Sequence, residues 1–110
     1  MVTTPQEVAL IDVRKAAAMF QKVNVPILWI IENMSYFLCP SDRKRYDIFG
    51  SGGGQREADR LGVPFLGQIP IEMAIREGGD KGKPVMIADA KSASGKAFLQ
   101  AAETLRKKLS

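Results

Sequence analysis

The segment "VPILWIIEN", residues 25–33, constrains the fold more than any other stretch of this chain. Ile27 to Ile31 form an unbroken apolar run rich in β-branched and aromatic residues. Such a run reads as a strand buried on both faces, and strands of that kind belong to parallel sheets. It stops abruptly at the polar pair Glu32-Asn33. "VPFLGQIP" is a second strand, closed by Pro70, and "VTTPQE" opens the chain with a short β-prone run. "KPVMIAD" is a fourth apolar run, read as strand or extended chain.

Helical signals fall between these runs. Thr4, Pro5 and Glu7 spell a capping box, and Leu10, Val13, Ala17 and Phe20 then recur at helical spacing, predicting a helix over 5–22. "GQREADRLG" predicts a short helix stopped by Gly62. "IEMAIREGG" predicts one or two turns. Ala97, Phe98, Ala101, Ala102, Leu105 and Leu109 mark one face of a last helix, started near Ser92 or Ser94. Strands alternating with helices give an α/β fold with right-handed crossovers and a parallel sheet of about three to four strands. The 110 residues are expected to form one domain, with no repeat and no linker. The first strand has about three residues, short for a parallel strand, so the chain is expected to be cut at its N-terminus.

Composition narrows the chemistry. There is no histidine, which removes imidazole bases, His-based triads and His metal sites. One cysteine, Cys39, excludes an internal disulfide. The net charge of +4 is concentrated at Arg43-Lys44-Arg45 and Arg106-Lys107-Lys108, and these read as solvated faces more than as a nucleic-acid footprint. No apolar stretch is long enough to span a bilayer and no signal peptide is visible, so a cytoplasmic protein is expected.

Ligands of open parallel sheets bind beyond the carboxyl ends of the strands. Here those ends are residues 3–6, 32–34 and 69–72. Asn33 offers a donor and an acceptor side by side, matching the edge of adenine. It would equally cap a turn through its own backbone, and spacing leaves both open. "GSGGG" lacks the spacing and the Lys-Ser or Lys-Thr pair of a phosphate-binding loop, so it reads as a turn leading into a helix. Glu32, Asp42, Asp47 and Glu72 show no acid–base pairing.

The joined signatures T-T-P-Q, E-N-M-S-Y-F, C-P, I-F-G-x-G-G-G and L-G-x-I-P closely resemble the C-terminal half of the Mrp/ApbC-type proteins. These are P-loop ATPases, related to MinD, that carry iron–sulfur clusters. The resemblance runs across nearly the whole chain and implies a partial P-loop NTPase-like, Rossmann-like sheet. It implies that Asn33 contacts adenine and that Pro70, Ile71 and Glu72 line the base. It implies ATP as cofactor, a homodimer, and a cluster bridged by a C-P-x-C pair from each subunit, with Cys39 as one ligand.

Two departures shape the expectations. The family's phosphate-binding loop and magnesium ligands lie upstream of the matched region, so ATP binding is expected to be weak or undetectable and hydrolysis absent. Asp42 stands where the second cysteine belongs, so a symmetric dimer would bring two thiolates and a stable cluster is not expected. The leading reading is a truncated or freestanding Mrp-like protein related to cluster assembly or transfer, non-catalytic alone. It would form a homodimer or higher oligomer through an exposed sheet edge. The alternatives are half of a split ATP-binding protein completed by a separate N-terminal half, and a protein- or nucleic-acid-binding adaptor using Arg43 to Arg45.

Overall fold

The computed structural model describes residues 1–110. Three strands form the main sheet: β1 (Val2–Thr3), β2 (Ile30–Glu32) and, fifth in chain order, β5 (Phe65–Gln68). They are parallel, in the order β1-β2-β5, with Thr3 opposite Glu32 and Glu32 opposite Gln68. Helix α1 (Glu7–Lys22) connects β1 to β2, and α2 (Gly53–Leu61) leads into β5. Between them, β3 (Phe37–Leu38) and β4 (Arg45–Tyr46) make an antiparallel hairpin. Helices α3 (Met73–Asp80), α4 (Val85–Ala88) and α5 (Ala93–Leu109) follow β5. The α/β class and the parallel sheet are as the sequence implies.

The core sits where α1, α2 and the sheet meet. Leu10, Val13 and Ala17 on α1, Ile30 on β2 and Ala58 on α2 are buried. The glycines of "GSGGG" let α2 approach closely. A Cβ on Gly53 would lie 2.6 Å from Leu10 Cδ1, and one on Gly54 would lie 2.9 Å from the Phe65 ring. The far end of α2 stops at Gly62, whose φ of +70° suits glycine. Arg14 of α1 and Arg60 both donate to the Glu57 carboxylate, which is 3% exposed. Burial pushes Glu57 up, but the bonds from Arg60 and Arg14 outweigh it and hold the carboxyl below its usual range.

Several expectations are corrected. The capping box does not form: α1 starts at Glu7 with Gln6 as an extended N-cap, and no side chain caps it. Thr4 Oγ1 turns to Gln6 instead, and the Glu7 carboxylate accepts from Arg14. The strand expected over 27–31 is paired only over 30–32, and Leu28 is 50% exposed. Pro64 sits beside its start, and proline has no N–H with which to extend the ladder. "KPVMIAD" is neither strand nor extended: Val85–Ala88 is a helical turn, because Pro84 opens it and accepts from the Ile87 and Ala88 N–H groups. The hairpin was not foreseen; its strands have two residues each and β4 is exposed.

Candidate functional site

The β2–β5 ladder does not stop where the strands do. Ile69 N–H donates to Glu32 O at 2.8 Å, Ser35 N–H to Ile69 O at 2.9 Å, and Ile71 N–H to Tyr36 O at 2.6 Å. Asn33 and Met34 are skipped. Asn33 N–H bonds sideways to Thr3 O of β1, and Met34 is left-handed with φ of 50°. The gap in the ladder is the mouth of a cavity of about 260 Å³. Asn33 and Met34 form one wall, Pro70, Ile71 and Glu72 the other, and Ile75 and Arg76 of α3 close it.

All four residues singled out for the adenine side, Asn33, Pro70, Ile71 and Glu72, therefore share one cavity at the carboxyl edge of the sheet. The turn-capping role of Asn33 is present too: its Oδ1 accepts the Met34 N–H at 2.9 Å. That bond leaves a second lone pair and the NH₂ donors for another partner. Apolar walls from Ile71, Ile75 and Pro70 with one amide edge can take a planar heterocycle. Met34 lies in the strand end 32–34 that the sequence marks for ligands, while Ile75 and Arg76 were missed by sequence reasoning. Only the i, i+3 and i, i+4 spacings from Glu72 into α3 would have hinted at Ile75 and Arg76.

Behind this wall lies a buried carboxylate, Glu32, whose partners no local spacing reveals. Glu32 is 0% exposed and accepts from Ser35 Oγ at 2.6 Å and from Gly54 N–H at 2.7 Å. It fixes the start of α2 against β2. The Gly54 N–H is thereby engaged, which agrees with reading "GSGGG" as a helix entrance and not as a phosphate cradle. Glu72 Oε1 does similar work at α5, accepting the Ser94 N–H at 2.5 Å.

The hairpin projects from the same edge. Cys39 is half-buried at the end of β3, with Sγ 3.1 Å from Ser41 Oγ. That hydroxyl, aided by the Asp42 and Ser41 backbone N–H groups, holds the thiol below its usual range. Both Asp42 oxygens are engaged, Oδ2 by the Tyr46 hydroxyl at 2.5 Å and Oδ1 by the Lys44 N–H at 2.9 Å. The Tyr46 bond, then the Lys44 N–H, holds the Asp42 carboxyl below its usual range, and the bond to Asp42 holds the Tyr46 hydroxyl above its own. No group of three or more His, Cys, Asp or Glu side chains is placed to hold a metal ion. One thiol beside a committed carboxylate does not fit the four ligands that clusters take. Within the basic run, Arg45 is already spent on the Tyr36 ring, 4.2 Å away, and on Asp47.

A family of iron-transfer P-loop NTPases, that of NUBPL, matches residues 1–106. This chain belongs to that family. An iron–sulfur cluster carrier protein of Aquifex aeolicus is 50% identical over 96% of the chain. The mouse iron–sulfur cluster transfer protein NUBPL is 41% identical over 99% of it. Among solved structures, MinD of Pyrococcus horikoshii complexed with Mg-ADP superposes with a TM-score of 0.74 at 26% identity, over 98% of this chain and 41% of that one. A nucleotide-binding protein of Archaeoglobus fulgidus in complex with ADP superposes at 0.66 and 30% identity, over 84% and 38%. The chain spans 29% of the Aquifex protein's length and 34% of the mouse protein's. None of its helices is long and apolar enough to cross a membrane.

Proposed function

We propose that this chain is the base-binding portion of an iron–sulfur cluster carrier NTPase, takes the adenine of ATP or ADP in the 260 Å³ cavity, and does not hydrolyse ATP alone. The observation that supports this most is the convergence of Asn33 with Pro70, Ile71 and Glu72 at the carboxyl edge of a parallel sheet. Asn33 gives the base its hydrogen-bonding edge, Ile71 and Ile75 supply apolar contact, and buried Pro70 backs the wall. The chain offers the phosphates no comparable grip, since Glu32 already occupies the start of α2. Phosphates and their metal supply most nucleotide affinity, so binding is weak and turnover absent.

The cluster is cargo, and Cys39 is the one thiol that can meet it. Two copies would bring two thiolates, and Asp42 is held by Tyr46 and Lys44, so no stable cluster forms. The protein acts in the cytoplasm as a scaffold in cluster assembly or transfer. Its β1 edge, where Val2 is 66% exposed, supports pairing with a second copy. The same edge, in a chain spanning 29% to 37% of its relatives' length, favours a second reading in which a separate N-terminal half completes the sheet.

Titration of the chain with adenosine, followed by amide resonances, tests the base site. Shifts at Asn33, Ile71 and Ile75 are expected, and Asn33→Ala should weaken binding about tenfold. Adenosine that leaves those resonances in place removes the proposal. Anaerobic reconstitution with iron and sulfide should give no stable cluster chromophore with this chain and a clear one with Asp42→Cys. Equal spectra would contradict the role given to Asp42. ATPase activity on mixing with a phosphate-loop half would establish the second reading, and inactivity at every ratio would reject it.

A further inference from the structure

We infer that Glu32 is the positioning residue of the base site: acting through the Ser35 hydroxyl, it holds residues 33–34 out of the ladder and so sets where the Asn33 amide stands. This inference rests on the base-cavity reading above and names what fixes the cavity's amide edge.

Ile69 bonds to both ends of the gap. Its N–H donates to Glu32 O and its O accepts the Ser35 N–H, so residues 33 and 34 form a two-residue loop between those bonds. Backbone pairing closes this loop but leaves its shape open. Met34 lies at φ of 50°, a region that a residue with a Cβ keeps only where its surroundings hold it. A second tie across the loop is made by side chains. Ser35 Oγ donates to Glu32 Oε1 at 2.6 Å, the short length of a hydroxyl bonded to a carboxylate. Both residues are 0% exposed, so water does not compete for this bond.

Glu32 is itself held from outside the loop. Its Oε2 accepts the Gly54 N–H at 2.7 Å, at the start of α2. No lysine or arginine pairs with it. A buried carboxylate without a cation costs free energy that an apolar side chain of the same size would not. An apolar side chain, however, cannot accept donors from α2 and from the far end of the loop at once. The line of contacts runs from α2 through Glu32 and Ser35 to the loop that presents Asn33 to the cavity.

The test uses the full chain and two nucleosides, adenosine and purine riboside, which lacks the 6-amino donor that Asn33 Oδ1 would meet. Amide resonances report both affinities and show that each variant is folded. Ser35→Ala should weaken adenosine about 5-fold and shrink its preference over purine riboside. In an Asn33→Ala background the same change should alter adenosine affinity less than about 2-fold. Glu32→Ala should repeat the loss. Glu32→Gln, whose amide can accept from Gly54 N–H and donate to Ser35 Oγ, should restore affinity and preference. Ser35→Cys, close in volume and with only a weak S–H donor, should change both in the same direction as Ser35→Ala and serves if that variant does not fold. Stability falls in any variant that leaves Glu32 short of a donor, so the base preference is the reading that discriminates. An equal loss for both nucleosides, or additive losses in the double variant, overturns this inference and leaves the base site standing. Unchanged adenosine affinity in Ser35→Ala, or no restoration by Glu32→Gln, does the same. No adenosine binding by the native chain overturns both.

Discussion

Two structures leave the same end of the sheet and are held in opposite ways. The segments 33–35 and 69–72 continue the sheet ladder and are backed by Glu32, Ser35, Ile69 and Pro70, all buried. The Cys39 hairpin is half-buried along β3, exposed from Pro40 onward and bonded mainly to itself. One edge of a small α/β unit thus combines a buried, ladder-bonded wall with a reactive hairpin held by local bonds. Substitutions in the first should be read in stability, and substitutions in the second in chemistry alone.

The largest effect is expected at Ile30, which is 0% exposed at the start of the strand that leads to the cavity. Ile30→Ala should cost about 4 kcal/mol in urea unfolding, a large share of what a domain this size has. A cost as small as that of a surface residue would mean the sheet end is not the rigid part. Gly54→Ala comes next. Its Cβ would fall 2.8 Å from Glu32 Oε2 and 2.9 Å from Phe65, so about 2 kcal/mol should be lost. Gly79→Ala is the control, since nothing lies near that position, and the change should be neutral or slightly stabilising.

How far these positions were legible in the sequence follows from the physics at each. Leu10, Val13 and Ala17 were readable because a helix buries a stripe with fixed spacing. Gly62 was readable because a helix stop in the left-handed region needs glycine. The cavity residues were readable because parallel strands bring their carboxyl ends to one edge whatever the side chains are. "KPVMIAD" was not, because a short apolar run fits a strand and a buried helical turn equally, and Pro84 decided it. The capping box failed because Thr4 Oγ1 turns to Gln6, while Glu7 accepts from Arg14 two turns along the same helix. The buried role of Glu32 depends on Gly54, 22 residues away, and no local spacing reports such a contact.

Glu57 makes the packed side of the molecule sensitive to acid. Its carboxyl is held below the ordinary 4.5 of glutamate, so the unfolded chain takes up a proton first as acid is added. Its contribution is therefore complete well above pH 4.5, declines as the pH falls below that value, and is gone below the folded pKa. Both arginines are about half exposed, so Glu57→Gln should cost only about 1 kcal/mol at neutral pH. The variant should lose part of the acid dependence of stability between neutrality and pH 4. An unchanged acid limb would place the acid sensitivity elsewhere.

The smallest effect on stability is expected in the hairpin, where it is the most informative. Ser41 Oγ lies 3.1 Å from Cys39 Sγ and is the main reason the thiol sits below its ordinary range. Donation from that hydroxyl favours the thiolate, so Ser41→Ala should move the thiol titration upward. At any pH below the new value less thiolate is present, and alkylation should slow by a few-fold. The two remaining backbone donors, from Asp42 and Ser41, keep part of the shift. Because the residue is exposed, the urea midpoint should not move. A slower thiol with an unmoved midpoint is what a self-contained hairpin requires. A midpoint that falls with the rate would tie the hairpin into the core and erase the distinction between the two structures.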